Sequence, residues 1–245
     1  MANVTHIIYE GPSLIDGQPI VVLAQSGSRN SKTGDMVQTF IIRSDIDPIT
    51  ASRTGQDTAI CGDCIHKGKP SDKTTGTAIG RTCYVTLAHA PLGKYKAYKR
   101  GVYGYATGHK AIADLGFGKM VRLGTYGDPC AAPQGLWDSL VSRADGWTAY
   151  THGAINPAPN MIMTSADSPM QAESAWDRGE RTFRVIGHVN DLIQGKEVLC
   201  PASEEMGKRT TCESCKLCAG ASVKAKSIAI VAHGTSKRLA KELVG

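Results

Sequence analysis

The chain predicts an α/β fold, with βα units forming a parallel sheet or a barrel, complete or partial, and with cysteine-rich metal-binding loops. Three observations predict it. From residue 120 onward, short apolar strands alternate with one-faced helical stretches, the pattern of parallel βα units. Polar and titratable residues recur where those strands end, which is where such folds place their sites. The eight cysteines fall at the short spacings of metal ligands.

Composition narrows the class. At 245 residues the chain can bury a sizeable core, so metal is not needed to make up for a small one. Hydrophobic and charged fractions of 41% and 20% are those of an ordinary globular protein, and no run approaches the roughly 20 apolar residues of a membrane span. The start, Met1-Ala2-Asn3-Val4-Thr5-His6, lacks the basic and then apolar regions of a secretory signal, so a cytoplasmic protein is expected. Thiols stay reduced in that compartment, which favours metal ligands over disulfides. The net charge of +6 permits a polyanionic partner without requiring one.

In chain order, residues 1–58 read as a strand-rich segment packed on the core, and 59–245 as an α/β metal-binding core with a cysteine-rich insertion at 200–218. Residues 19–24 and 37–42 are apolar and read as a pair of strands, with a polar loop over 25–35 expected to be exposed. Residues 44–56 hold one or two helical turns. Cys61-Gly62-Asp63-Cys64 is a C-x2-C knuckle, joined by Cys83. A fourth ligand could be Cys130, His66, His89 or no protein atom. Lys94, Lys96, Lys99 and Arg100 interleave with tyrosines, which suits a nucleic-acid surface as well as it suits a solvated helix face anchored by its rings. The glycines from 101 to 118 fit no phosphate-loop pattern.

Residues 120–126, 147–151, 161–164, 182–186, 197–199 and 227–232 read as strands. Helices are expected over 133–143, from the Ser168 cap and Pro169 to Gly179, and over 235–244. The strand ends bring Asp128, His152, Asp167 and His233 toward one rim as candidate catalytic residues, with Tyr126, Gly127 and Ser165 beside them as cofactor contacts. Cys200, Cys212, Cys215 and Cys218 form a second ligand set, closing on C-x2-C-x2-C. Four thiolates suit zinc or an iron–sulfur cluster, and the tight triplet leans to the cluster. Lys208, Arg209 and Lys216 around it would suit a zinc module touching phosphate.

On Cys61-Gly62-Asp63-Cys64, Gly80-Arg81-Thr82-Cys83-Tyr84-Val85, Tyr126-Gly127-Asp128-Pro129, Trp147-Thr148-Ala149-Tyr150-Thr151-His152 and Cys200-Pro201-Ala202-Ser203 with its cysteine triplet, the chain resembles a cysteine-rich protein family of bacteriophage genomes. The resemblance implies a protein of the host cytoplasm acting on nucleic acid or its precursors. The chain is also distantly similar to radical-SAM-like barrels. That similarity implies a four-iron cluster on Cys61, Cys64 and Cys83 that binds S-adenosylmethionine, with an auxiliary cluster on the second set. Those barrels carry their three cysteines as C-x3-C-x2-C, whereas here a long loop separates the third. Two functions are therefore expected: an iron–sulfur enzyme with a nucleotide-related substrate, or a non-enzymatic, zinc-stabilised nucleic-acid-binding protein.

Overall fold

The computed structural model describes residues 4–27, 31–207 and 209–244. Met1, Ala2, Asn3, residues 28–30 of the predicted loop and Lys208 lie outside them. Strands β1 (Thr5–Pro12), β2 (Pro19–Gln25) and β3 (Val37–Arg43) pair antiparallel in succession. Ile20 to Ala24 and Val37 to Arg43 are buried almost throughout, so this sheet is covered on both faces, as continuous apolar runs require.

Helix α1 (Pro48–Thr54) starts where the Asp47 carboxylate accepts the Ile49 and Thr50 N–H groups, and stops at Gly55 in the left-handed conformation. Next come α2 (Thr58–Cys61), α3 (Ala90–Lys99), β4 (Gly104–Tyr105) and α4 (Gly108–Gly116). β5 (Met120–Tyr126) lies parallel to β3. α5 (Gln134–Val141) buries Leu136, Trp137, Leu140 and Val141, the apolar face expected from its spacing.

The stretch read as one strand over 147–151 is two, β6 (Gly146–Thr148) and β7 (Tyr150–Thr151). The break is Ala149, whose N–H goes to the Cys218 carbonyl at 3.1 Å and so leaves the strand ladder. β8 (Met163–Ala166) begins two residues later than its apolar run, because Met161 and Ile162 both donate to the Ala158 carbonyl in a tight turn. α6 (Pro169–Asp177) is capped by Ser168, which accepts the Gln171 N–H. β9 (Thr182–Ile186), β10 (Glu197–Leu199), α7 (Cys212–Cys215), β11 (Ser227–Val231) and α8 (Lys237–Val244) complete the order.

The strands form a mixed sheet in the order β4-β1-β2-β3-β5-β6 and a second sheet, parallel throughout, in the order β10-β11-β9-β8-β7. The chain passes from one to the other at Ala149. Among the described residues no pairing joins β4 to β10, so the architecture is α/β with parallel strands and the ring is not closed. The main core lies around β2, β3, β5 and α5, centred on Ile41, Leu123 and Trp137. A buried bidentate pair, Arg184 to Glu197 at 2.9 and 2.7 Å, ties β9 to the β10 strand at the sheet's edge. Among the described residues no helix is long and apolar enough to cross a membrane.

Candidate functional site

The first cysteine set is assembled by local backbone contacts. α2 ends on Cys61, Gly62 turns the chain at positive φ, and Lys67 reaches back to Thr58 Oγ1 and the Gly62 carbonyl. The loop from Lys69 returns as a bridge with Ile79, and the His66 carbonyl then accepts the N–H groups of Thr82 and Cys83 at 3.0 and 2.9 Å. Those bonds return Cys83 to the knuckle after its long separation in sequence. Burial pushes the Cys61 thiol up, and Asp57, Cys64 and Cys83 add to the rise. Burial likewise raises Cys83. The buried Tyr126 hydroxyl has no partner, and burial followed by the charges of Cys61 and Asp57 raises its pKa.

Beside this knuckle the strand ends converge. The Asp128 carboxylate, 8% exposed, accepts three hydrogen bonds: Cys130 N–H at 2.9 Å, Thr151 Oγ1 at 3.0 Å and His152 N–H at 2.7 Å. It therefore clamps the end of β5 to the end of β7. His152 Nε2 lies 3.3 Å from Asp167 Oδ1 and 3.7 Å from Cys64 Sγ. Burial alone would discharge this ring, but Asp167 and Cys64 outweigh it and hold its pKa well above the ordinary histidine value. Thiol and carboxylate approach the same nitrogen. That excludes a Cys–His–Asp relay, in which they engage opposite nitrogens. His66 Nε2 stands 3.9 Å from the same Asp167 oxygen, and its other nitrogen meets Thr82 Oγ1 at 2.7 Å.

The second set sits on the parallel sheet. Cys200 follows β10, and Cys212, Cys215 and Cys218 join it around one small apolar hollow walled by Thr148, Tyr150, Leu217 and Ile228. Thr211 caps α7, and Lys216 takes a left-handed conformation that turns the chain between Cys215 and Cys218. The predicted polar loop before β3 helps to hold this set in place, because its Lys32 and Thr33 carbonyls accept the Cys212 and Glu213 N–H groups. Arg181, 7% exposed, donates to the carbonyls of Leu217, Gly220, Ala225 and Lys226 and so shapes the segment after the triplet. Burial pushes the Cys218 thiol up to about 12. Among the described residues the three ligand atoms within 4.8 Å of one another are those of His66, His152 and Asp167, and neither thiol set forms such a group.

The other expected site residues are placed as follows. Cys130 faces Thr151 Oγ1 at 3.0 Å and the Asp128 charge, with burial raising it to about 12. Gly127 is where a Cβ would stand 2.6 Å from the Ile41 Cβ at φ +86°, so close packing of β5 on β3 accounts for the glycine. Ser165 lies half-buried on β8. His233 stacks on Tyr84 with centroids 5.8 Å apart and meets Lys32 Nζ at 3.3 Å. Of the basic run, Lys94 is drawn inward: it donates to Thr5 Oγ1 at 2.7 Å and lies over Phe40 and Tyr103. Tyr98 and Tyr105 bond Glu10, and Tyr95 bonds the Asp45 carbonyl. The rings therefore anchor α3, while Lys96, Lys99 and Arg100 are exposed.

Sequence reasoning missed three functional features. Arg122 is one: it bonds the Tyr84 hydroxyl at 2.5 Å, lies over the Tyr150 ring, and feels the sulfurs of Cys212 and Cys218. A lone arginine in an apolar strand was the available signal. Another is a cleft of about 380 Å³ lined by Arg81, Cys83, Thr77, Thr86, Thr235 and Ser236 among others. The third is the convergence of His66 with His152 and Asp167, which come from three separate loops. Comparison with protein-family models, curated proteins and solved structures found no match.

Proposed function

We propose that this chain is a phage-type metalloenzyme. In this reading Cys61, Cys64 and Cys83 hold an iron–sulfur cluster at the strand-end rim, and Cys200, Cys212, Cys215 and Cys218 hold a second, enclosed one. The observation that carries it is the contrast between the two sets. Four thiols surround one small apolar hollow, whereas three come together at the rim position, where Cys83 also lines the larger cleft. A closed ligand set suits a structural or relay centre, and an incomplete set leaves a coordination position for a ligand.

Two further points support the reading. The unpartnered Tyr126 hydroxyl beside Cys61 gives the rim group a hydrogen-bond donor. The half-buried Arg122 guanidinium offsets the negative charge of the second set of thiolates. The cleft is within the size of small-ligand pockets. Arg81 and four hydroxyl side chains in its wall suit a phosphate-bearing, nucleotide-related substrate, and S-adenosylmethionine is a ligand to try there.

When bound, such clusters supply one-electron chemistry. The chain's own residues do the rest: Asp128 holds His152 in place, Arg81 orients an anionic ligand, and the apolar walls keep water from the enclosed set. The test is anaerobic purification followed by an absorbance spectrum and iron, sulfide and zinc analysis of one sample. A brown protein containing iron and sulfide is expected. A colourless protein with about two zinc per chain would replace the enzyme by the zinc-stabilised nucleic-acid-binding protein, to be tested by binding through Lys96, Lys99 and Arg100.

A further inference from the structure

His66 combines two features that ordinary packing does not explain. The residue is 8% exposed, yet among the described residues Nε2 is without a hydrogen-bond partner. At 3.9 Å the Asp167 oxygen is beyond hydrogen-bond reach, so the nitrogen is aimed at a carboxylate that it does not bond. The opposite nitrogen is occupied, with Nδ1 2.7 Å from Thr82 Oγ1. A donor bond from Nδ1 to the threonine oxygen leaves the Nε2 lone pair free and pointing inward, the arrangement by which an outer partner fixes a metal-ligating histidine.

His152 Nε2 points to the same place. It is 3.3 Å from Asp167 Oδ1, so two imidazole nitrogens and one carboxylate oxygen surround a common point, all within 4.8 Å of one another. Ligands held at about 2.0–2.1 Å from an ion stand roughly 3.3 Å apart when tetrahedral. Of the three separations, the His152–Asp167 one already matches, the His66–Asp167 one needs a shift of some tenths of an ångström, and the His66–His152 one is within 4.8 Å. The backbone is set for this. Asp128 fixes the His152 N–H, and the His66 carbonyl is tied to Thr82 and Cys83.

We propose that His66 Nε2, His152 Nε2 and Asp167 hold one divalent metal ion of the first transition row, in a site beside the first thiol set, whose Cys64 Sγ lies 3.7 Å from His152 Nε2. Two histidines and one carboxylate leave further positions open, and this donor set takes Fe²⁺, Mn²⁺ or Zn²⁺.

The probe is Mn²⁺, which prefers nitrogen and oxygen donors to thiolate. It is added to the purified full chain with its thiol centres as isolated, and free Mn²⁺ is read by electron paramagnetic resonance. One Mn²⁺ per chain is expected. Binding is lost in His66→Ala and Asp167→Asn and weakened 10- to 100-fold in Thr82→Val. Circular dichroism and the iron, sulfide and zinc content of each variant report the fold and the cysteine centres independently. No Mn²⁺ binding by the wild-type chain, or unchanged affinity in both His66→Ala and Thr82→Val, overturns the site.

Discussion

Asp128 was expected to act as an acid or base, and its geometry shows a brace. Three donors from the turn after β5 and the end of β7 converge on its carboxylate, which uses most of its acceptor positions. Asp128→Ala leaves three buried donors unsatisfied and is expected to cost about 3 kcal/mol after relaxation, and Asp128→Asn about 1–2 kcal/mol. Urea unfolding checks both, and an unchanged midpoint for Asp128→Ala would refute the brace. Arg181 makes a parallel case. Its guanidinium serves four carbonyls flanking Cys218, those of Leu217, Gly220, Ala225 and Lys226. Arg181→Met should lose about 3 kcal/mol and release metal from the second thiol set at lower denaturant than the wild type does.

At the scale of elements, α3 shows how a basic, tyrosine-rich segment can serve the fold. Burial lowers the Lys94 pKa from 10.5 to about 8, because the ammonium sits against Phe40 and Tyr103 with one hydrogen bond. Below pH 8 both folded and unfolded chains carry the charge, and the folded state bears its full desolvation cost. Between about pH 8 and 10.5 the folded state has released a proton that the unfolded state keeps. Stability therefore rises with pH across that window. Tyrosines and cysteines titrate there too, so the informative quantity is the difference between wild type and Lys94→Met. The variant should gain least relative to wild type at the top of the window and most below pH 8. A pH-independent difference would mean that Lys94 is solvated. Helices α5 and α6 were legible in advance because each carries its own apolar face or cap. The single strand expected over 147–151 was not, because its break depends on a hydrogen bond from Ala149 to Cys218, about 70 residues away.

Across the whole molecule, the second thiol set joins the two sheets. The loop bearing it contacts Ala149 at the crossing point, the β2–β3 loop through Lys32 and Thr33, and Arg181 on the parallel sheet. Any metal held there would be coupled to folding. Cys215→Ser is expected to lose metal from this centre and to unfold at lower temperature, while Cys64→Ser at the rim loses less stability. Metal analysis together with calorimetry separates the two outcomes, and equal losses would remove the distinction between an enclosed and a rim centre.

What the sequence determined by itself was whatever short-range chemistry can specify. The 3.6-residue face of α5, the Ser168 cap with Pro169, the apolar runs of β2, β3, β5 and β9, and the knuckles Cys61–Cys64 and Cys212–Cys218 are each written within a few neighbouring residues. The tertiary structure alone decided which distant residues meet. His66, His152 and Asp167 come together because parallel strands end on one rim and a long loop folds back onto it. Arg122 comes to face Cys212 and Cys218, and Lys94 is drawn from the polar face into the core. Periodicity and spacing record the local backbone, whereas these meetings depend on strand order and loop closure, and no spacing along the chain encodes them.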